Sequence, residues 1–138
     1  MELMNAMNIS ASGMKAQGMR MRVISENMAN SETIPDQVGV DPYRRKVVSF
    51  KNVLDRETGV NKVEVKEIRR DPSEFRLKYD PTHPAADEKG YIKLPNVNSL
   101  IETMDMREAQ RSYEANLGAI ELSRSMMMKT IDLLRTNR

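Results

Sequence analysis

Residues 4–28 read MNAMNISASGMKAQGMRMRVISENM. Methionine returns at Met7, Met14, Met21 and Met28, seven residues apart each time. Three positions before each stand Met4, Ala11, Gly18 and Ser25. A seven-residue apolar repeat with no proline is the pattern of a helix packed along one seam against another helix. This seam, with methionine in one row and mostly small side chains in the other, allows close approach. Gly18 and Ser25 bury little and have poorer helix propensity than alanine. The segment therefore reads as a helix of roughly 25 residues, about 40 Å long, that depends on a partner. Alone in the isolated chain, residues 1–30 are expected to be poorly ordered. The helix should stop near Asn30, before Pro35, with the asparagine in a left-handed terminal turn.

The far end of the chain answers this helix. From residue 99 onward no proline interrupts, and Gly118 is the only glycine. Met106, Tyr113, Ile120, Met127 and Leu134 again recur every seven residues. Ala109, Asn116, Ser123 and Thr130 form a flanking row of small or polar residues. Ser99-Leu100-Ile101-Glu102 has the form of a capping box at the start. A helix of roughly 38 residues would be about 57 Å long, several times the typical globular length. The two terminal helices should pair as a coiled coil, within one subunit or between subunits.

All six prolines fall between residues 31 and 95. Val47, Val48 and Phe50, then Val63 and Val65, then Phe75, Leu77 and Tyr79 mark half-buried strands by their period of two. Glu57-Thr58-Gly59 is the turn between the first two strands. Asp80 to Gly90 reads as an exposed loop. The fold class is α+β: terminal helices over residues 1–34 and 96–138, and a β-rich outer region with its loop over 35–95.

Composition narrows the function. The chain has 138 residues, a net charge of +2, 12 methionines, six aromatics and no cysteine. Thiol catalysis, thiolate metal sites and disulfides are excluded. Methionine-rich, aromatic-poor surfaces repack readily when helices meet. No apolar run approaches a membrane span, and no basic segment followed by an apolar core marks a secretory signal. Residues 43–78 carry a net charge of +5. Their signs alternate, as in Lys62-Val63-Glu64-Val65-Lys66-Glu67, which describes a solvated face rather than a nucleic-acid surface. The single histidine, His83, lies between Pro81 and Pro84 near Asp87 and Glu88, without the spacing of a metal site. No nucleophile elbow, P-loop or dinucleotide glycine pattern occurs. The chain is read as no enzyme, with no cofactor and no metal.

Residues 12–33, SGMKAQGMRMRVISENMANSET, resemble the N-terminal signature of flagellar basal-body rod and hook-type proteins. The matching positions are Ser12, Gly13, Ala16, Asn27, Ala29, Asn30 and Thr33, and Pro42-Tyr43-Arg44-Arg45 resembles the continuation. Residues 106–116, MREAQRSYEAN, are similar to the family's C-terminal helix through Arg111, Tyr113, Ala115 and Asn116. Residues 79–91 and Pro95-Asn96-Val97-Asn98 resemble the proximal-rod C subunits. The short middle sets the chain apart from distal-rod and hook members.

The resemblance implies a structural subunit of the proximal rod. Such a subunit is exported unfolded through the flagellar type III apparatus without a cleaved signal peptide. In the periplasm it polymerises into a hollow shaft that transmits torque for motility. Its implied partners are copies of itself, other rod subunits, the export apparatus and the membrane ring. A sibling rod subunit, or a cytosolic coiled-coil adaptor, is the alternative. The subunit-interface candidates are the heptad residues Met7, Met14, Met21, Met28, Met106, Tyr113, Ile120, Met127 and Leu134. The signature adds Ser12, Gly13, Ala16, Asn27, Ala29, Asn30 and Thr33, and the C-terminal motif adds Arg111 and Asn116.

Overall fold

The computed structural model describes residues 2–136, so Met1, Asn137 and Arg138 at the two chain ends lie outside it. Two helices carry the architecture: α1, Glu2–Ala29, and α2, Ser99–Thr136. They pack antiparallel, since the end of α1 meets the start of α2 at Asn27 and Glu102, and Glu2, Leu3 and Met4 lie by Met127. Between them in sequence come β1, Lys46–Leu54, β2, Asn61–Arg70, β3, Arg76–Tyr79, and β4, Tyr91–Leu94. The fold is α+β, with long N- and C-terminal helices flanking a small antiparallel strand region.

β1 and β2 form an antiparallel ribbon from Lys46↔Arg70 to Leu54↔Asn61, with a register shift between Ser49 and Phe50. Its turn is closed by Gly59, which has φ +68° and donates to Asp55 O at 2.8 Å. That is the left-handed conformation glycine adopts without steric cost. The ribbon lies along α1, with Val63 and Val65 over Ser12, Ala16 and Met19. α1 is thus covered on two sides, by α2 and by the ribbon. β3 and β4 pair separately, from Arg76↔Leu94 to Tyr79↔Tyr91. Ile92 and Val97 are buried here, whereas Leu77 and Tyr79 are exposed. The expected half-burial of the third strand therefore fails: β3 has a sheet partner on one edge only, and its Leu77 and Tyr79 stay exposed, Tyr79 resting edge-on against Tyr91.

Three local expectations are corrected. The helix pair is real, but its phase differs. α1 buries Ser10, Ala16, Val23, Ile24 and Asn27. Met4, Ala11 and Ser25 are exposed, Met28 is exposed, and Met7, Met14 and Met21 are half-buried. On α2 the closely packed row is Glu102, Ala109 and Ser123, with Met106, Tyr113, Ile120 and Met127 half-buried beside it. The seam is built of small and polar side chains, so the methionine rows mark its margin. Second, α2 is capped by Asn98, whose side-chain oxygen accepts from Leu100 N at 3.0 Å. Glu102 does not reach back to Ser99 but turns into the core. Third, no non-glycine residue among those described has positive φ. Asn30 ends α1 instead through its side chain, which donates to Glu26 O at 2.8 Å.

Candidate functional site: the junction of helix pair and ribbon

One buried polar cluster joins every part of the chain. Asn27, 1% exposed, lies two residues before the end of α1. Its Nδ2 donates to Lys46 O at 2.8 Å and to Glu102 Oε2 at 3.1 Å. Its Oδ1 accepts from Lys46 N at 2.9 Å and from Tyr43 OH at 2.9 Å. The side-chain amide thus pairs with both backbone groups of the first residue of β1, as a neighbouring strand would. A buried amide with two donors and two acceptor lone pairs is fully satisfied by these four bonds.

Glu102 is 0% exposed. A carboxylate so placed requires a partner. Arg45 supplies it, donating from Nε to Oε1 at 2.5 Å. The same guanidinium donates to Asp105 Oδ2 at 3.2 Å and stands 3.6 Å from Asp71 Oδ2. Burial works to lower the pKa of Arg45, but the hydrogen bond and charge of Glu102, with Asp105 and Asp71, outweigh it and hold the group above its ordinary value. Asp105 extends the cluster to Arg20 of α1 at 3.6 Å, and Arg20 also bonds Glu108 at 3.1 Å. Burial, then the nearby charges of Glu26 and Glu102, push the Tyr43 phenol up to about 12. At neutral pH Tyr43 is therefore held as the donor to Asn27.

The backbone around the cluster is tied down equally well. Arg45 N donates to Asn96 Oδ1 at 2.7 Å, and Asp71 N donates to Arg45 O at 2.8 Å. Asn96 Nδ2 reaches Ser73 Oγ at 2.9 Å. Arg76 donates to Pro95 O at 3.1 Å and to Ser31 O at 3.0 Å, fastening β3 to the end of α1. The Asp71 carboxyl is held below its usual range, first by the Ser73 backbone N–H and also by Arg45. The arrangement has no general acid facing a base across an open cleft. Its chemistry is that of a fastening.

The interface candidates separate into four groups. Asn27 sits in the cluster. Ser12, Gly13, Ala16 and Asn116 hold neighbouring elements together: Ser12 Oγ accepts from Val63 N at 3.2 Å while donating to Ile9 O at 2.6 Å. Ala16 is buried under β2, and the Asn116 side chain crosses Gly13. Asn30 and Thr33 make only local bonds, Thr33 Oγ1 donating to Asn30 O at 2.9 Å. The rest face outward or lie at the seam's margin: Met28, Ala29, Arg111 and Leu134 are exposed, and Met7, Met14, Met21, Met106, Tyr113, Ile120 and Met127 are half-buried. Arg45, Asn96 and Glu102 were not among the candidates. Their signal was present in Tyr43-Arg44-Arg45, in Pro95-Asn96-Val97-Asn98 and in an acidic residue at the first turn of a heptad helix.

Among the described residues no helix is long and apolar enough to cross a membrane. Residues 88–133 match the family model for the C-terminal region of flagellar basal body rod FlgEFG proteins. The whole chain is similar to flagellar basal-body rod proteins FlgC. That of Agrobacterium fabrum is 49% identical over 133 residues, covering 96% of both chains. That of Aquifex aeolicus is 43% identical over 96% of this chain and 97% of the relative. That of Bacillus subtilis is 39% identical over 96% of this chain and 99% of the relative. With relatives of 39–49% identity matched over nearly the full length of both chains, the chain belongs to the FlgC family of flagellar basal-body rod proteins.

Proposed function

We propose that this chain is a structural subunit of the proximal rod of the flagellar basal body and has no catalytic role. It polymerises with copies of itself and with other rod subunits into the hollow shaft that carries torque. It is exported through the flagellar type III apparatus and assembles in the periplasm above the membrane ring.

The observation that supports this most is the free end of α2. The N-terminus of α1 lies by Met127, and every described residue from Met128 to Thr136 is exposed. Met128, Ile131, Leu133 and Leu134 point in several directions around that end, and Leu133 is 68% exposed. Lys129, Asp132 and Arg135 stand between them, but four large apolar side chains on a helix end that packs against none of the described residues are surface for a neighbour to cover. Neighbouring subunits are what would surround it.

Ending the chain after Met127 tests this, because it removes the overhang and leaves the junction intact. The truncated chain should fold, yet fail to restore swimming and rod assembly in a strain lacking the full-length protein. Normal swimming by that strain would overturn the reading.

A further inference from the structure

α2 has two faces to consider. One packs on α1 through Ala109 and Ser123. The other carries Met104, Ala115, Ala119, Leu122, Met126 and Leu133, all exposed. Ala115, Ala119, Leu122, Met126 and Leu133 are spaced by four, three, four and seven residues, which keeps them on one side of the helix, and Met104 continues that side three turns earlier, beyond Glu108 and Arg111. This is a second packing seam, and none of the described residues occupies it.

α1 has an outward row of complementary shape. Met4, Ala11, Gly18 and Ser25 lie seven apart, and a Cβ added at Gly18 would meet nothing within 4 Å. Large side chains on the back of α2 suit small ones on the outside of α1. The charges beside the two rows are also matched. Lys15 and Arg22 flank the α1 row, seven residues apart, both exposed. Glu114 and Glu121, also seven apart and exposed, stand to one side of the α2 stripe, beyond Gly118 and Ser125. None of the four makes an ion pair among the described residues, although eleven such pairs form elsewhere. Arg111 and Arg124 bound the stretch that holds Glu114 and Glu121, so it is confined to the middle of α2.

We propose that the outward row of α1 is the docking surface for the back of α2 of a second copy of this chain. Lys15 and Arg22 of one copy pair with Glu114 and Glu121 of the next. The inference rests on the rod reading and names the contact between neighbours. The two surfaces are different and both remain available on each copy, so the contact is heterologous and adds subunits without closing on itself.

Two charge reversals test it on the purified full chain by concentration-dependent light scattering, with circular dichroism to show that the helices persist. The K15E/R22E variant and the E114K/E121K variant should each associate about tenfold more weakly than the unaltered chain. An equimolar mixture should recover association, because the acidic α1 of one variant meets the basic α2 of the other. Association of either variant alone at the original strength, or a mixture no stronger than its components, would overturn the proposal. So would an unaltered chain that stays monomeric at every concentration, since the occupant would then be another subunit. The truncation after Met127 tests the rod reading separately, in cells.

Discussion

Gly13 and Asn116 face each other across the helix pair with no room for one more carbon. A Cβ built on Gly13 would stand 3.0 Å from both the oxygen and the nitrogen of the Asn116 amide. That amide is itself fixed, donating to Ser112 O at 2.9 Å. The glycine sets how closely α1 and α2 approach.

Replacing Gly13 by alanine brings two opposing effects. Helix propensity gains about 1 kcal/mol, and the crowded amide gives most of it back. The single substitution should change stability little, while Gly13→Val should cost about 2 kcal/mol. In an Asn116→Ala background the crowding is gone, and Gly13→Ala should then stabilise by about 1 kcal/mol. Urea unfolding of the four chains measures the coupling. Equal effects in both backgrounds would refute the contact.

Asn27→Ala leaves the Lys46 N–H and C=O and the Tyr43 hydroxyl without their partner. Unsatisfied buried groups of this kind should cost about 3 kcal/mol together. Asn27→Asp should be worse, since it removes the donor and sets a second carboxylate beside Glu102. Denaturant midpoints should fall in the order native, alanine, aspartate.

Glu102→Leu takes from the Arg45 guanidinium its nearest partner, leaving only Asp105 and Asp71, and leaves one Asn27 donor unpaired, so it should destabilise by about 3 kcal/mol. Adding Arg45→Met removes the under-paired charge and should recover part of that loss. A double-mutant cycle by chemical denaturation decides this. Additive losses would mean that the pair makes no net contact.

Tyr43 predicts the alkaline behaviour. Its folded pKa is raised to about 12, so folding favours the protonated phenol. That contribution is fully present below the unfolded value of about 10 and is lost as pH rises towards 12. Ultraviolet titration should show a tyrosine ionising late, and Tyr43→Phe should abolish that late step. At the acid end the sign reverses. Asp55 is held at about 2, mainly by its bond to Lys62, so its contribution is complete above about pH 4 and fades as pH falls towards 2. Asp71 is lowered too and adds in the same direction.

Two long helices, their heptads, the ribbon and its turn were legible in the chain because periodicity and proline placement report them directly. The phase of the helix pair was not. Apolar pattern points to the methionine rows, but the packed seam holds Ser10, Gly13, Asn27, Glu102, Asn116 and Ser123, polar or small residues that a hydrophobic count assigns to the surface. Close approach here rests on size and hydrogen bonding, not on greasiness. The junction was half visible. Asn27 stood out within a motif, but its partners at positions 45, 46 and 102 are joined only by folding, and no local spacing announces them.

The ribbon is fastened to α1 twice, by Lys46 on Asn27 and by Val63 on Ser12. Fifteen residues of helix separate those points, about 22 Å along the axis. A part held at one point swivels; held at two, it becomes a brace. Twist applied to the ribbon is therefore met by the whole length of α1 between Ser12 and Asn27 and not by a single hinge, so loss of either fastening would leave the subunit folded but compliant.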